Sequence, residues 1–211
     1  MKKKSLNSII VILIVVLFSV GFAGCSGGND SKSDTQADTQ DETTGDEKSN
    51  SPVVVIEMED GGIIEVQLDR EAAPVTVDNF VKLVDQKFYD GTIFHRVIED
   101  FMIQGGGYSA DMVPNSTDTI KGEFEKNGWD NPIKHERGVI SMARKGDYFD
   151  SASGQFFIMH ADYPSIDGSY ASFGRVISGM EVVDEIAVVE TGTADLPKTP
   201  VVIKSITLKD A

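Results

Sequence analysis

The 211-residue chain contains one cysteine, one tryptophan and three histidines, and its 19 basic residues are outnumbered by 34 acidic ones. A single thiol cannot close an internal disulfide, and one cysteine with three scattered histidines does not supply the ligand set of a zinc domain. The formal charge of −15 repels phosphate backbones and anionic membrane surfaces, so nucleic acid is not an expected partner. The common catalytic signatures are missing too. Gly105-Gly106-Gly107 runs into Tyr108-Ser109 with no lysine to reach a phosphate, so the glycines read as a tight backbone turn and not as a phosphate loop. There is no G-x-S-x-G elbow, His135-Glu136 lacks the second histidine of H-E-x-x-H, and Asp162 to Gly168 lacks calcium-loop spacing. Neither a metal nor a cofactor is expected.

What is present begins with a leader. Lys2, Lys3 and Lys4 precede an apolar run from Ile9 to Val20, and small residues end at Gly24 and Cys25, the order of an export signal. From Ile9 to Ala23 the stretch is 15 residues, shorter than the ~20 needed to span a bilayer. Phe22-Ala23-Gly24-Cys25 resembles the bacterial lipobox, with Phe22 in place of the usual aliphatic residue. That resemblance implies lipidation at Cys25 and an anchor on the outer side of the cell membrane. Ser26 to Pro52 is almost wholly polar, with seven acids and two lysines, and cannot bury enough surface to offset its ordering entropy. The expected organisation is a signal over 1–24, a lipidated cysteine and disordered acidic tether over 25–52, and one folded domain over 53–211.

Within that domain, Val53 to Met58 and Ile63 to Leu68 are β-rich runs joined by Asp60-Gly61-Gly62, a hairpin signal. Pro74 opens a helix in which Val77, Phe80, Leu83 and Val84 share a face. A second helix follows from Met180, Val183, Ile186 and Ala187. Further β-type runs lie at Ile93 to Val97, Met102 to Gln104, Val139 to Ala143, Gln155 to Met159, Ser172 to Val176 and Val201 to Leu208. About eight strands and two helices suit a mainly β fold, a closed eight-stranded antiparallel barrel capped by two α-helices, because closure removes exposed edges. A sandwich is the alternative. The stretch from Gly105 to Lys134 has little periodicity and reads as a long loop.

Phe94-His95-Arg96-Val97-Ile98-Glu99-Asp100-Phe101-Met102-Ile103-Gln104-Gly105-Gly106 sets an arginine among large apolar residues. Its composition alone leaves open whether Arg96 serves a structural ion pair or contacts a ligand. This stretch resembles the signature of the cyclophilin family of peptidyl-prolyl cis/trans isomerases. Gly138 to Ala143, Gln155 to Ile158 and Phe173 to Val176 are similar to later blocks of that family, in the same order. The resemblance implies a cyclophilin-like barrel with Arg96 as the catalytic arginine. It implies a proline pocket of Phe101, Met102 and Phe157, with Gln104 and Gln155 holding the substrate backbone and the arginine. Ala143 and Arg144 match an edge segment along which the peptide lies, and His95, Ile166 and Tyr170 match rim positions. For His95 a purely structural role stands beside a direct one, and for the three pocket residues ordinary core packing is the alternative. Ser165 and Tyr170 replace the tryptophan and histidine of many eukaryotic members, and the loop from Gly146 to Gln155 is longer.

The implied function is isomerisation of X-Pro bonds in unfolded or exported polypeptides by a membrane-anchored monomer. A non-catalytic chaperone or assembly partner that binds proline peptides in the same groove is the alternative. Arginine does not titrate in the working range, so the rate is expected to be nearly flat from about pH 6 to 9.

Overall fold

The computed structural model describes residues 51–209. The signal, Cys25 and nearly all of the tether lie outside the described residues, so the expectations that fall on them meet no structural observation here.

Eight strands close an antiparallel barrel in the order β1-β2-β7-β5-β6-β4-β3-β8. They are β1 (Val53–Met58), β2 (Ile63–Leu68), β3 (Thr92–Ile98), β4 (Met102–Ser109), β5 (Val139–Met142), β6 (Phe156–Met159), β7 (Ser172–Ser178) and β8 (Val201–Leu208). Helix α1 spans Pro74–Asp85 and α2 spans Met180–Ala187. The barrel, and not the sandwich, is the architecture. The first hairpin turns at Gly61, whose φ of 95° needs a residue without Cβ, while Asp60 accepts from the Gly62 N–H at 3.0 Å.

The apolar spacing of α1 lands where its period places it, with Val77, Phe80, Leu83 and Val84 buried. Phe80 packs on Tyr89, Phe156 and Phe173 at ring separations of 5.0 to 5.6 Å, tying the helix to the barrel interior. In α2, Val183, Ile186 and Ala187 are buried and Met180 is partly so.

Gly105, Gly106 and Gly107 overturn the turn reading, because all three lie within β4. They permit close approach instead. A Cβ on Gly105 would meet the Phe94 ring at 2.9 Å, and one on Gly107 would meet the Gln155 amide at 2.4 Å. Gly106 carries φ 82° and faces the Gly154 carbonyl. Side-chain deletion of this kind leaves no periodic signal, so a glycine run in a strand looks like a turn.

The segment after β4 is held by long-range bonds. Glu123, buried, accepts from the N–H groups of Val75 and Thr76 at 3.0 and 2.8 Å and from the Thr76 hydroxyl at 2.7 Å. It thereby caps α1, whose own N-cap residue Ala73 offers no side chain for the purpose. Trp129 donates to the Ala72 carbonyl at 2.8 Å, and Asn131 donates to the carbonyls of Glu123 and Ser172.

Candidate active site

Strand alternation divides the apolar residues into two groups. Ile103, Ile140, Met142, Phe156 and Ile158 point into the barrel core. Their neighbours Met102, Val139, Phe157 and Met159 form a second buried cluster, with Ile98, Phe101, Ile133, Ala143, Ile166 and Tyr170 packed against it. Of the apolar positions named from sequence, Phe101, Met102, Ala143, Phe157, Ile166 and Tyr170 all fall in this cluster outside the core.

The register supplies the polar partners. Arg96 pairs with Gln104 across β3–β4, Gln104 with Phe157 across β4–β6, and Phe157 with Ser141 across β6–β5. These four residues form one continuous row over adjacent strands. At about 4.8 Å per strand, the backbones of Arg96 and Phe157 are about 10 Å apart, the span of about three extended residues. A charged donor therefore stands at one end of the row and an apolar surface at the other. The Gln104 amide donates to the Gln155 side-chain oxygen at 2.9 Å, bringing both predicted glutamines together beside the arginine.

The Arg96 side chain is 41% exposed, and its Nε donates to Asp195 Oδ2 at 3.3 Å. Its hydrogen bond thus goes to this carboxylate and to neither glutamine. Asp195 had no signal in the sequence, since it lies 99 positions from Arg96 in an irregular loop.

Ala143 donates its N–H to the Gln155 carbonyl at 2.9 Å. Among the described residues, the backbone N–H and C=O of Arg144 have no hydrogen-bond partner, as a peptide-pairing edge requires. The Arg144 side chain is turned to other work. Its Nε donates to the Ser169 carbonyl at 2.8 Å, an Nη to the Gly146 carbonyl, and its guanidinium lies 4.8 to 5.1 Å from the rings of Tyr170, Phe124 and Phe149. The cage fixes the base of the long loop from Gly146 to Gln155.

His95 stands apart from the apolar cluster, edge-on to Tyr108 at 4.9 Å, with its Nδ1 buried and unpartnered. Burial lowers its pKa, outweighing the nearby Ile93 carbonyl and Gln155 side chain. His135, which sequence reasoning set aside as half of an absent zinc motif, lies under the site. Its ring stacks on Phe157 at 6.0 Å and is bracketed by Asp167 at 3.1 Å and the Ser172 hydroxyl at 3.3 Å. Burial lowers its pKa against the opposing pull of Asp167.

Among the described residues no three His, Cys, Asp or Glu side chains gather in a way that could hold a metal ion. A cavity of about 630 Å³ between the β1–β2 turn, α2 and the segment entering β8 includes none of the row residues. The arrangement offers one fixed cation, two amides, a free backbone edge and a dry apolar surface. It lacks a paired nucleophile and base, and so suits a conformational change in a bound chain better than bond cleavage.

Residues 53–208 match the family described as cyclophilin type peptidyl-prolyl cis-trans isomerase/CLD. The peptidyl-prolyl cis-trans isomerase A of Dickeya dadantii is 47% identical over 153 residues, covering 68% of this chain and 78% of that protein. The peptidyl-prolyl cis-trans isomerase B of Escherichia coli is 39% identical over 161 residues, covering 71% of this chain and 95% of its own. A crystal structure of a cyclophilin-type isomerase from Cryptosporidium parvum superposes with a TM-score of 0.65 at 27% identity, covering 76% of this chain and 99% of that one. A second crystal structure of that protein was obtained in the presence of the dipeptide Ala-Pro. On sequence, fold and relatives alike, this chain belongs to the cyclophilin-type peptidyl-prolyl cis-trans isomerase family.

Proposed function

We propose that the face formed by Arg96, Gln104 and Phe157 is the surface on which this isomerase turns X-Pro bonds, and that it serves exported polypeptides outside the cytoplasmic membrane, held by a lipid on Cys25. The observation that carries the first part is the cross-strand register, which sets a cation and an apolar cluster on one outer face of the barrel. The leader, the lipobox-like Phe22 to Cys25 and the acidic tether support the second.

The chemistry follows from the amide. Rotating an X-Pro bond breaks resonance against a barrier of ~18 to 20 kcal/mol and takes tens of seconds or longer unaided. In the twisted transition state the proline nitrogen loses conjugation and gains a lone pair. Arg96 donates to that nitrogen only once resonance is lost, which is differential transition-state binding. A rate gain of about 10⁵-fold requires ~7 kcal/mol. One charged hydrogen bond supplies ~1.5 to 3 kcal/mol, so Arg96 does not suffice by itself. Phe101, Met102 and Phe157 grip the ring and exclude water, while Gln104, Gln155 and the open backbone of Arg144 hold the flanking chain.

The test is exchange spectroscopy on an X-Pro peptide with the purified protein beside Arg96→Ala. The expected result is a loss of about tenfold to a hundredfold in the variant, the worth of one charged hydrogen bond. Unchanged exchange in Arg96→Ala would move the site elsewhere. Binding without exchange by the unaltered protein would make the groove a peptide-holding surface.

A further inference from the structure

The loop between α2 and β8 is built to present one carboxylate. Its base is clasped: Lys198 donates its N–H to the Glu190 carbonyl at 2.8 Å, Gly192 to the Leu196 carbonyl at 2.8 Å, and Thr191 bridges Pro197. A Lys198–Glu190 ion pair closes the same neck. At the tip, a 3-10 turn over Thr193–Asp195 packs against β3. Ala194 and Asp195 have φ values of 59° and 60°, two successive non-glycine residues in the left-handed region. Such backbone persists only where its surroundings impose it. The conformation it enforces places Asp195 Oδ2 at 3.3 Å from Arg96 Nε.

The partner matters because of what the amides do. Gln104 faces Arg96 directly across the ladder, yet its amide nitrogen donates to Gln155 and its oxygen makes no hydrogen bond to the guanidinium. Among the described residues Asp195 supplies the one hydrogen-bond acceptor that the half-exposed guanidinium engages. A long side chain in that condition samples many rotamers, and each productive encounter must then order it afresh. An acceptor on Nε fixes the guanidinium plane by one edge and leaves both terminal amino groups available.

We propose that Asp195 is a positioning residue for Arg96, presented by the clasped loop, which holds the guanidinium ready for the twisted X-Pro bond. This rests on the assignment of Arg96 as the catalytic arginine. Asp195 touches no reacting atom, so its effect passes through Arg96 and is felt in the transition state. Removing it lowers kcat and leaves KM nearly unchanged.

The experiment measures kcat and KM by lineshape analysis on a proline peptide for the full chain, Asp195→Ala, Asp195→Asn, Arg96→Ala and the Arg96→Ala/Asp195→Ala double variant. Asp195→Ala is expected to lose about fivefold in kcat, and Asp195→Asn, which keeps an acceptor oxygen, to recover most of that loss. In the Arg96→Ala background Asp195→Ala should add nothing, and the Nε–H resonance of Arg96 should lose its protection from solvent exchange in Asp195→Ala alone. Unchanged kcat in Asp195→Ala overturns the proposal, as does an equal loss with and without Arg96, which would mark a structural role. A raised kcat also overturns it, by showing that the pair restrains the arginine unproductively. If Arg96→Ala itself is fully active, the fault lies instead with the catalytic assignment.

Discussion

Arg96 is the charged member of the row, and the groups beside it that burial shifts near neutral pH are histidines. Burial lowers both His95 and His135 from the ordinary 6.5, leaving each neutral above that value. Turnover is therefore expected to be flat from about pH 6.5 to 9, and a bell-shaped profile there would point to acid–base chemistry. Stability should bend on the acid side. His135 binds its proton more weakly folded than unfolded, so its contribution is complete above the unfolded value and declines as pH falls from there towards the folded one. The groups facing its ring are Asp167, Ser172, Phe157 and Tyr170, with Lys134 adjoining. Burial pushes the Asp167 carboxyl up, yet its bonds from His135 hold it below the ordinary 3.8, so its own acid-side loss comes later in the titration. Urea midpoints at about pH 7.5 and about pH 5.5 should differ in the unaltered protein and differ less in His135→Gln. Equal pH dependence in the two would assign the acid sensitivity to another group.

At the level of elements, what could be read from the sequence was whatever local periodicity dictates. Val77, Phe80, Leu83 and Val84 announced α1, and alternating residues placed β1 and β2 with the bounds observed. The residues assigned to the proposed pocket came from a resemblance, and their shared cluster follows from period-two alternation once the register is known. Val139 and Met159 could have been added to the pocket by the same alternation, since each lies two positions from a residue in the row. The order of the segment after β4 was not legible, because its bonds connect residues up to 57 positions apart and no local pattern encodes them. Glu123 is the sharpest instance, a buried carboxylate that caps a helix 47 positions earlier. Glu123→Ala leaves its three donors without the acceptor and is expected to cost about 3 kcal/mol, read as a lower urea midpoint at unchanged slope. Glu123→Gln, which keeps one acceptor oxygen, should cost about half as much. A change below about 0.5 kcal/mol in Glu123→Ala would show that solvent replaces the cap.

Across the whole molecule, charge and anchor act in opposite directions. Residues 53–211 carry 14 basic and 27 acidic residues, a balance of 14 − 27 = −13, so an anionic membrane repels the isomerase domain. Electrostatic attraction therefore does not hold it there, and the proposed location depends on Cys25. One acyl chain at ~0.8 kcal/mol per buried methylene gives only marginal residence, whereas two or more hold firmly. Cells fed a radiolabelled fatty acid should incorporate label into the unaltered chain and not into Cys25→Ser. The unaltered chain should also stay with the membrane fraction through a wash in high salt, because screening removes charge–charge attraction and leaves acyl burial intact. Release by salt, or label that persists in Cys25→Ser, would count against the anchor, and an unlabelled soluble chain would leave an isomerase acting away from the membrane.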